Sequence, residues 1–136
     1  AVIPNVPDVT NNPDDWSVVF DANDEFITRF VKSKDALSEL ETFTIETRDG
    51  FHGEELVFTV GTNITNTIEF TVEATIKESF GPIPFNSNLM KEILKANRDY
   101  HSGEIRINKK GLLDAHFHCG NDLYTGYYLV RKQENN

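Results

Sequence analysis

Cysteine is almost missing: Cys119 stands alone in 136 residues, so no intrachain disulfide can staple the fold. No apolar run approaches the roughly 18 residues that a membrane-spanning helix needs. The opening residues lack the charged-then-apolar pattern of a secretory signal. Positive charge is scarce, with 13 Lys and Arg against 22 Asp and Glu, a net of −9. Such a chain does not coat its whole surface with nucleic acid; only a local basic face is open to it. No GxGxxG, no P-loop and no nucleophile elbow occurs. Proline is sparse, and three of the five residues fall within the first 15. What is present, 38% hydrophobic and 26% charged residues in 15.5 kDa, suits one globular domain with its own core.

Residues 1–15, AVIPNVPDVTNNPDD, read as a Pro/Asn-rich arm or interdomain connector. Residues 16–132 read as a single domain and 133–136 as a polar tail. Within the domain a pattern recurs. WSVVF alternates as a short strand from Trp16. Phe26, Ile27, Phe30 and Val31 then recur at helical spacing, with Asp24 and Glu25 in the first turn and Asp21 or Asn23 as cap. ETFTIETR, ELVFTV and TIEFTVEATI alternate as three strands, the last putting Ile68, Phe70, Val72, Ala74 and Ile76 on one face. The second half, about 80–132 after a first of about 16–78, repeats the order. FGPIPF is extended, because its prolines forbid helix. NSNLMKEILKANRDY is a helix with Leu89, Met90, Ile93 and Leu94 inward, and GEIRIN, LLDAHFHC and DLYTGYYLVR are strands. Phe26, Ile27, Phe30, Val31 and Lys32 map onto Leu89, Met90, Ile93, Leu94 and Lys95 at a constant offset of 63. The fold expected is α+β, a duplicated βαβββ unit with two helices on one face of an antiparallel sheet and the other face in water. An unrelated α+β sandwich with a chance likeness between its halves is the alternative.

The scarce positives concentrate on the helices. Residues 22–37 balance Arg29, Lys32 and Lys34 against Asp24, Glu25 and Asp35, whereas residues 86–98 set Lys91, Lys95 and Arg98 against Glu92 alone. Lys91, Lys95 and Arg98 follow i, i+4, i+7 and form one stripe, and Arg29 and Lys32 follow i, i+3. Two readings fit: a light, local contact with a polyanion, or two ordinary solvated helix faces.

Other candidates for chemistry are thin. Asp114, His116 and His118 alternate on one strand face, half of a metal site at most, with no evident third and fourth ligand. His52 and His101 are isolated, and Cys119 falls on the core face as a small hydrophobe. Asn63-Ile64-Thr65 fits a glycosylation pattern but reads as a turn. We expect no enzyme, metal or cofactor. Leu123, Tyr124, Tyr127, Tyr128 and Val130 crowd the last strand, whose alternation can bury one face only. The surplus aromatic surface suits a partner or subunit interface, or an edge strand covered by the arm.

The chain resembles one domain of a DNA sliding clamp, or processivity factor, most closely the C-terminal domain of a T4-type phage clamp subunit. IPFNSNLMKEILKANRDYHSGEIRINKKGLLDAHFHCG, then NDLYTGYYLVRK, carry the likeness, together with the connector-like IPNVPDV. The resemblance covers roughly residues 16 to 132, and clamps carry no short signature peptide. It implies a closed ring with helices lining the pore and sheets outside, encircling duplex DNA without reading bases. Arg29, Lys32, Lys91, Lys95 and Arg98 would face the DNA. The implied partners are other clamp domains, the replicative polymerase and a clamp loader. A hydrophobic pocket on the outer side would accept C-terminal peptides, with the Tyr-rich strand contributing. No membrane is implied, and the expected location is cytoplasmic, in the host cell if viral. A phage subunit holds two such domains. With Ala rather than Met at position 1, the expectation is a C-terminal piece of such a subunit; a single-domain relative forming six-copy rings is the other option. Two further functions are weighed against this one: a phage structural or carbohydrate-binding β-rich module, and a small metal-dependent enzyme using Asp114, His116 and His118.

Overall fold

Both helices start on the same device. Asn23 caps α1 (Asp24–Ala36) by accepting the Phe26 N–H at 2.9 Å, and Asn86 caps α2 (Ser87–Ala96) by accepting the Leu89 N–H at 3.0 Å. Each cap satisfies a backbone donor that the first helical turn leaves without a partner. The caps are 63 residues apart, the offset of the apolar repeat. The computed structural model of the protein describes residues 15–61, 66–100 and 102–133. The expected arm therefore lies outside the described residues except for Asp15. Asn63-Ile64-Thr65, His101 and all but Gln133 of the tail lie outside them as well.

The strands are β1 (Val18–Asp21), β2 (Thr42–Gly50), β3 (Gly53–Val60), β4 (Ile68–Val72), β5 (Thr75–Ile76), β6 (Ile83–Asn86), β7 (Ser102–Asn108), β8 (Leu112–Gly120) and β9 (Leu123–Val130). They form two antiparallel sheets, ordered β5-β1-β7-β8-β9 and β4-β3-β2-β6. The expected single sheet is thus corrected to two, with the helix pair against both. The expected strand over 67–76 divides after Val72, and its two pieces join different sheets. Side-chain alternation runs through that break unchanged, so periodicity alone could not reveal it.

The two halves interlock by exchanging their opening strands. β1 pairs with β7, Val18 against Ile107 and Phe20 against Ile105. β6 pairs with β2, Ile83 against Ile45 and Phe85 against Phe43. The two exchanges are equivalent under the repeat, so each half completes the other's sheet.

Phenylalanine ties the layers together. Phe26 of α1 meets Phe20 of the first sheet with ring centroids 5.0 Å apart and Phe58 of the second at 5.2 Å, both edge-on. Phe30 meets Phe43 edge-on at 4.9 Å. Edge-to-face pairs add about 0.5–1.5 kcal/mol beyond area burial. α2 fills its share with Met90, Ile93 and Leu94, all buried. Leu89, expected to point inward, is 48% exposed. It sits in the first turn directly after the cap, and the smaller aliphatic set of α2 closes the core without it. Buried Ser87 and Asn97 have partners, Ser87 Oγ donating to the Leu40 carbonyl and Asn97 joining the Ile93 carbonyl to Thr125, whereas the buried Trp16 Nε1 and His118 Nε2 have none among the described residues.

Candidate nucleic-acid interface

The helices run antiparallel, because the start of each is tied to the end of the other. Lys91 pairs with Asp35, and Arg98 pairs with Asp24 at 3.1 Å and donates to Thr28 Oγ1 at 2.6 Å. Arg29 pairs with Glu25 at 2.8 Å and reaches the Thr71 carbonyl at 3.3 Å. Three of the five basic residues singled out by spacing are therefore committed to carboxylates of α1. Lys32 and Lys95 are exposed and have no ion pair among the described residues. They are the pair related by the 63-residue offset. Lys34, counted with the positives of the first helix, is buried, its Nζ donating to the Ser38 carbonyl at 2.6 Å.

Lys32, Lys91 and Lys95 share one face. Asp35 lies three residues after Lys32 on α1, bonds Lys91 across the helix boundary and feels Lys95. The Lys91 hydrogen bond holds the Asp35 carboxyl below its ordinary value, with the charges of Lys91, Lys95 and Lys34 adding to it. Arg29 has different surroundings. A cleft of about 800 Å³ at the start of α1 is lined by Asp21, Glu25, Glu73 and Glu104 as well as Arg29. That acidic surround opposes a phosphate at Arg29.

The outer face of the first sheet carries a second constellation. Asp114, almost fully buried, accepts from Arg106 Nε at 2.8 Å and Nη2 at 2.7 Å, and His116 Nδ1 lies 3.0 Å from the same oxygen. Arg106 stacks over the Trp16 ring at 4.5 Å, and His116 approaches Glu104 at 3.7 Å. His118 stacks on Tyr124, centroids 4.8 Å apart. Asp114, His116 and His118 thus do not converge on a common point. Among the described residues, no group of three or more His, Cys, Asp or Glu is arranged to hold a metal.

The last strand divides as its alternation requires. Leu123, Tyr124 and Tyr128 are exposed, and Gly126 leaves a gap between the two tyrosines. Tyr127 turns inward and meets Phe117 at 6.4 Å, and both it and Val130 are half-buried. Cys119, expected in the core, is half-buried. Its thiol raises the Tyr100 phenol above its ordinary value, a long-range neighbour that no spacing signalled.

Phe51, 95% exposed at the β2–β3 turn, also escaped the sequence pattern. No described helix is long and apolar enough to cross a membrane. Compared with family models and with curated proteins, the chain matches none.

Proposed function

We propose that the chain is a domain of a DNA sliding clamp that surrounds duplex DNA without reading its sequence and tethers a replicative polymerase. The observation that carries this reading is the placement of Lys32 and Lys95. They are repeat-equivalent, lie on neighbouring antiparallel helices of an interlocked pair of βαβββ units, and stand out on a strongly acidic molecule. Long lysine side chains attract phosphates over about the 8 Å Debye length of physiological salt and demand no fixed register. A topological link needs only such a light grip, because escape is blocked by the ring rather than by affinity. The edge strands β4 and β9 leave backbone groups on which neighbouring clamp domains can add strands. Duplex DNA, further clamp domains, polymerase and loader are the partners under this reading, with no cofactor.

The test is topological. The full-length protein is loaded on nicked circular DNA, and the DNA is then cut once. Retention on the circle and loss from the linear form are expected. Lys32→Gln with Lys95→Gln should lower the amount loaded severalfold at unchanged thermal stability, while what is loaded stays on the circle. Equal retention on both DNA forms overturns the reading.

A second reading has one observation in its favour. Tyr124 and Tyr128 lie exposed on one face with Gly126 between them, a flat platform of the kind that stacks on sugar rings in a non-enzymatic carbohydrate-binding or structural module. Oligosaccharide binding abolished by Tyr124→Ala would favour it.

A further inference from the structure

A second group of cations on the described surface is not on the helices. It lies at the far end of the first sheet from the α1 N-terminus, where β7 turns into β8. Lys109 and Lys110 occupy the two corner positions of that turn, closed by the Gly111 N–H on the Asn108 carbonyl at 2.9 Å. Gly111 has φ +106°, the left-handed residue that follows a type I turn in a three-residue hairpin loop. Arg131 is seated beside Gly111, its N–H on the Gly111 carbonyl at 2.8 Å, and Lys132 follows it. Lys77 arrives from β5, its N–H on the Ser17 carbonyl at 2.8 Å, while Ser17 Oγ accepts the Lys109 N–H at 3.1 Å. The backbone thus brings four of the chain's 13 basic residues, Lys77, Lys109, Lys110 and Arg131, to one corner of a molecule with net charge −9, whereas the Lys132 ammonium is engaged on the second sheet, donating to Thr42 Oγ1 at 2.5 Å. The described carboxylates that the strand connections bring there are Asp15 and Glu78, the latter paired with Lys109 at 2.5 Å.

The corner is rigid without help from these charges. Buried Asn108 accepts the Lys110 N–H at 2.7 Å and donates to the Asp15 carbonyl, so the N–H groups of Lys109, Lys110 and Gly111 all have acceptors. Lys110 and Arg131 are exposed and have no ion pair among the described residues. None of the exposed large hydrophobic residues lies in the turn itself: Phe51, Leu89 and Tyr100 are on other segments, and Leu123, Tyr124 and Tyr128 are on β9 ahead of Arg131. A protein partner would want an apolar anchor at the centre of its contact. Closely spaced cations without one fit the repeating charges of a phosphodiester backbone. We propose that this corner, formed by Lys109, Lys110 and Arg131 with Lys77 flanking, is a second, sequence-independent contact for duplex DNA, distinct from the helix face.

The inference does not require a ring, and the test separates it from the clamp reading. Binding of a labelled 20-base-pair duplex by the full chain is followed by fluorescence anisotropy from low to physiological salt. Lys109→Gln, Lys110→Gln and Arg131→Gln are combined, keeping Arg131's stem length over Gly111, and compared with Lys32→Gln plus Lys95→Gln. The expected result is at least a tenfold loss of affinity in the triple variant. Its log–log salt slope should fall by about 2–3, since each phosphate contact contributes about 0.9. The helix variant should keep most of the wild-type slope. Unchanged binding by the folded triple variant overturns the inference. So does loss of binding in the helix variant alone, an outcome that leaves the clamp reading standing. Equal affinity for polyglutamate and duplex, or for neither, overturns it too.

Discussion

Asp114 shows how much one side chain can hold. Its carboxylate is 2% exposed and joins Arg106 to His116, and Arg106 in turn lies over Trp16. Removing it leaves a largely buried guanidinium without its counter-charge, a costly state. Asp114→Ala should therefore lower unfolding free energy by about 3 kcal/mol, read by denaturant titration. Fluorescence of Trp16, the only tryptophan, should respond in the same experiment. The caps are smaller in effect. Asn23→Ala and Asn86→Ala should each cost about 1 kcal/mol, and their sum should be nearly additive because the caps share no partner.

Equivalent residues of the two helices differ in weight. Phe26 and Leu89 correspond under the repeat, yet Phe26 is buried against both sheets and Leu89 is 48% exposed. Phe26→Ala should cost about 3–5 kcal/mol, and Leu89→Ala within about 0.5 kcal/mol. The helix pair also carries a pH dependence. The folded Asp35 carboxyl titrates below its unfolded value, chiefly through Lys91. A depressed carboxyl stabilises the fold above its unfolded pKa, and that contribution fades as pH falls through the folded value. Asp35→Asn should therefore remove stability at neutral pH but little in acid, flattening the acid limb in thermal melts between neutrality and pH 3. Reversing Lys91 or Arg98 to Glu would set two carboxylates together at the helix boundary. Lys32 and Lys95 are for that reason the cleaner positions for separating charge from folding.

Across the molecule, strand exchange makes the halves mutually dependent. β1 without β7, and β2 without β6, would leave apolar faces and ladder groups unpaired. Residues 16–78 alone should show no cooperative thermal transition, and mixing them with residues 80–132 should restore one. Cooperative melting of the first half alone would contradict the interlock. The charge layout is also a whole-molecule property. Carboxylates of α1 neutralise much of the helix stripe, while the β7–β8 corner gathers cations from three separate chain segments.

Local periodicity was enough to determine both helices, the duplicated order of elements and which face of most strands is buried, because alternation and the i, i+3, i+4 spacing are set by neighbours in the chain. The acidic first turn of α1 was readable for the same reason, and its cap was narrowed to Asp21 or Asn23. Strand partnership was not, since a strand alternates alike whichever sheet it joins; hence the two sheets, the division after Val72 and the exchange between halves belong to the tertiary structure. Charge availability was only partly readable. The Arg29–Glu25 pair is an i, i+4 pair within α1, but Lys91 and Arg98 met their carboxylates only through packing of the helices, and Lys77, Lys109 and Arg131 came together only through the ends of strands distant in sequence.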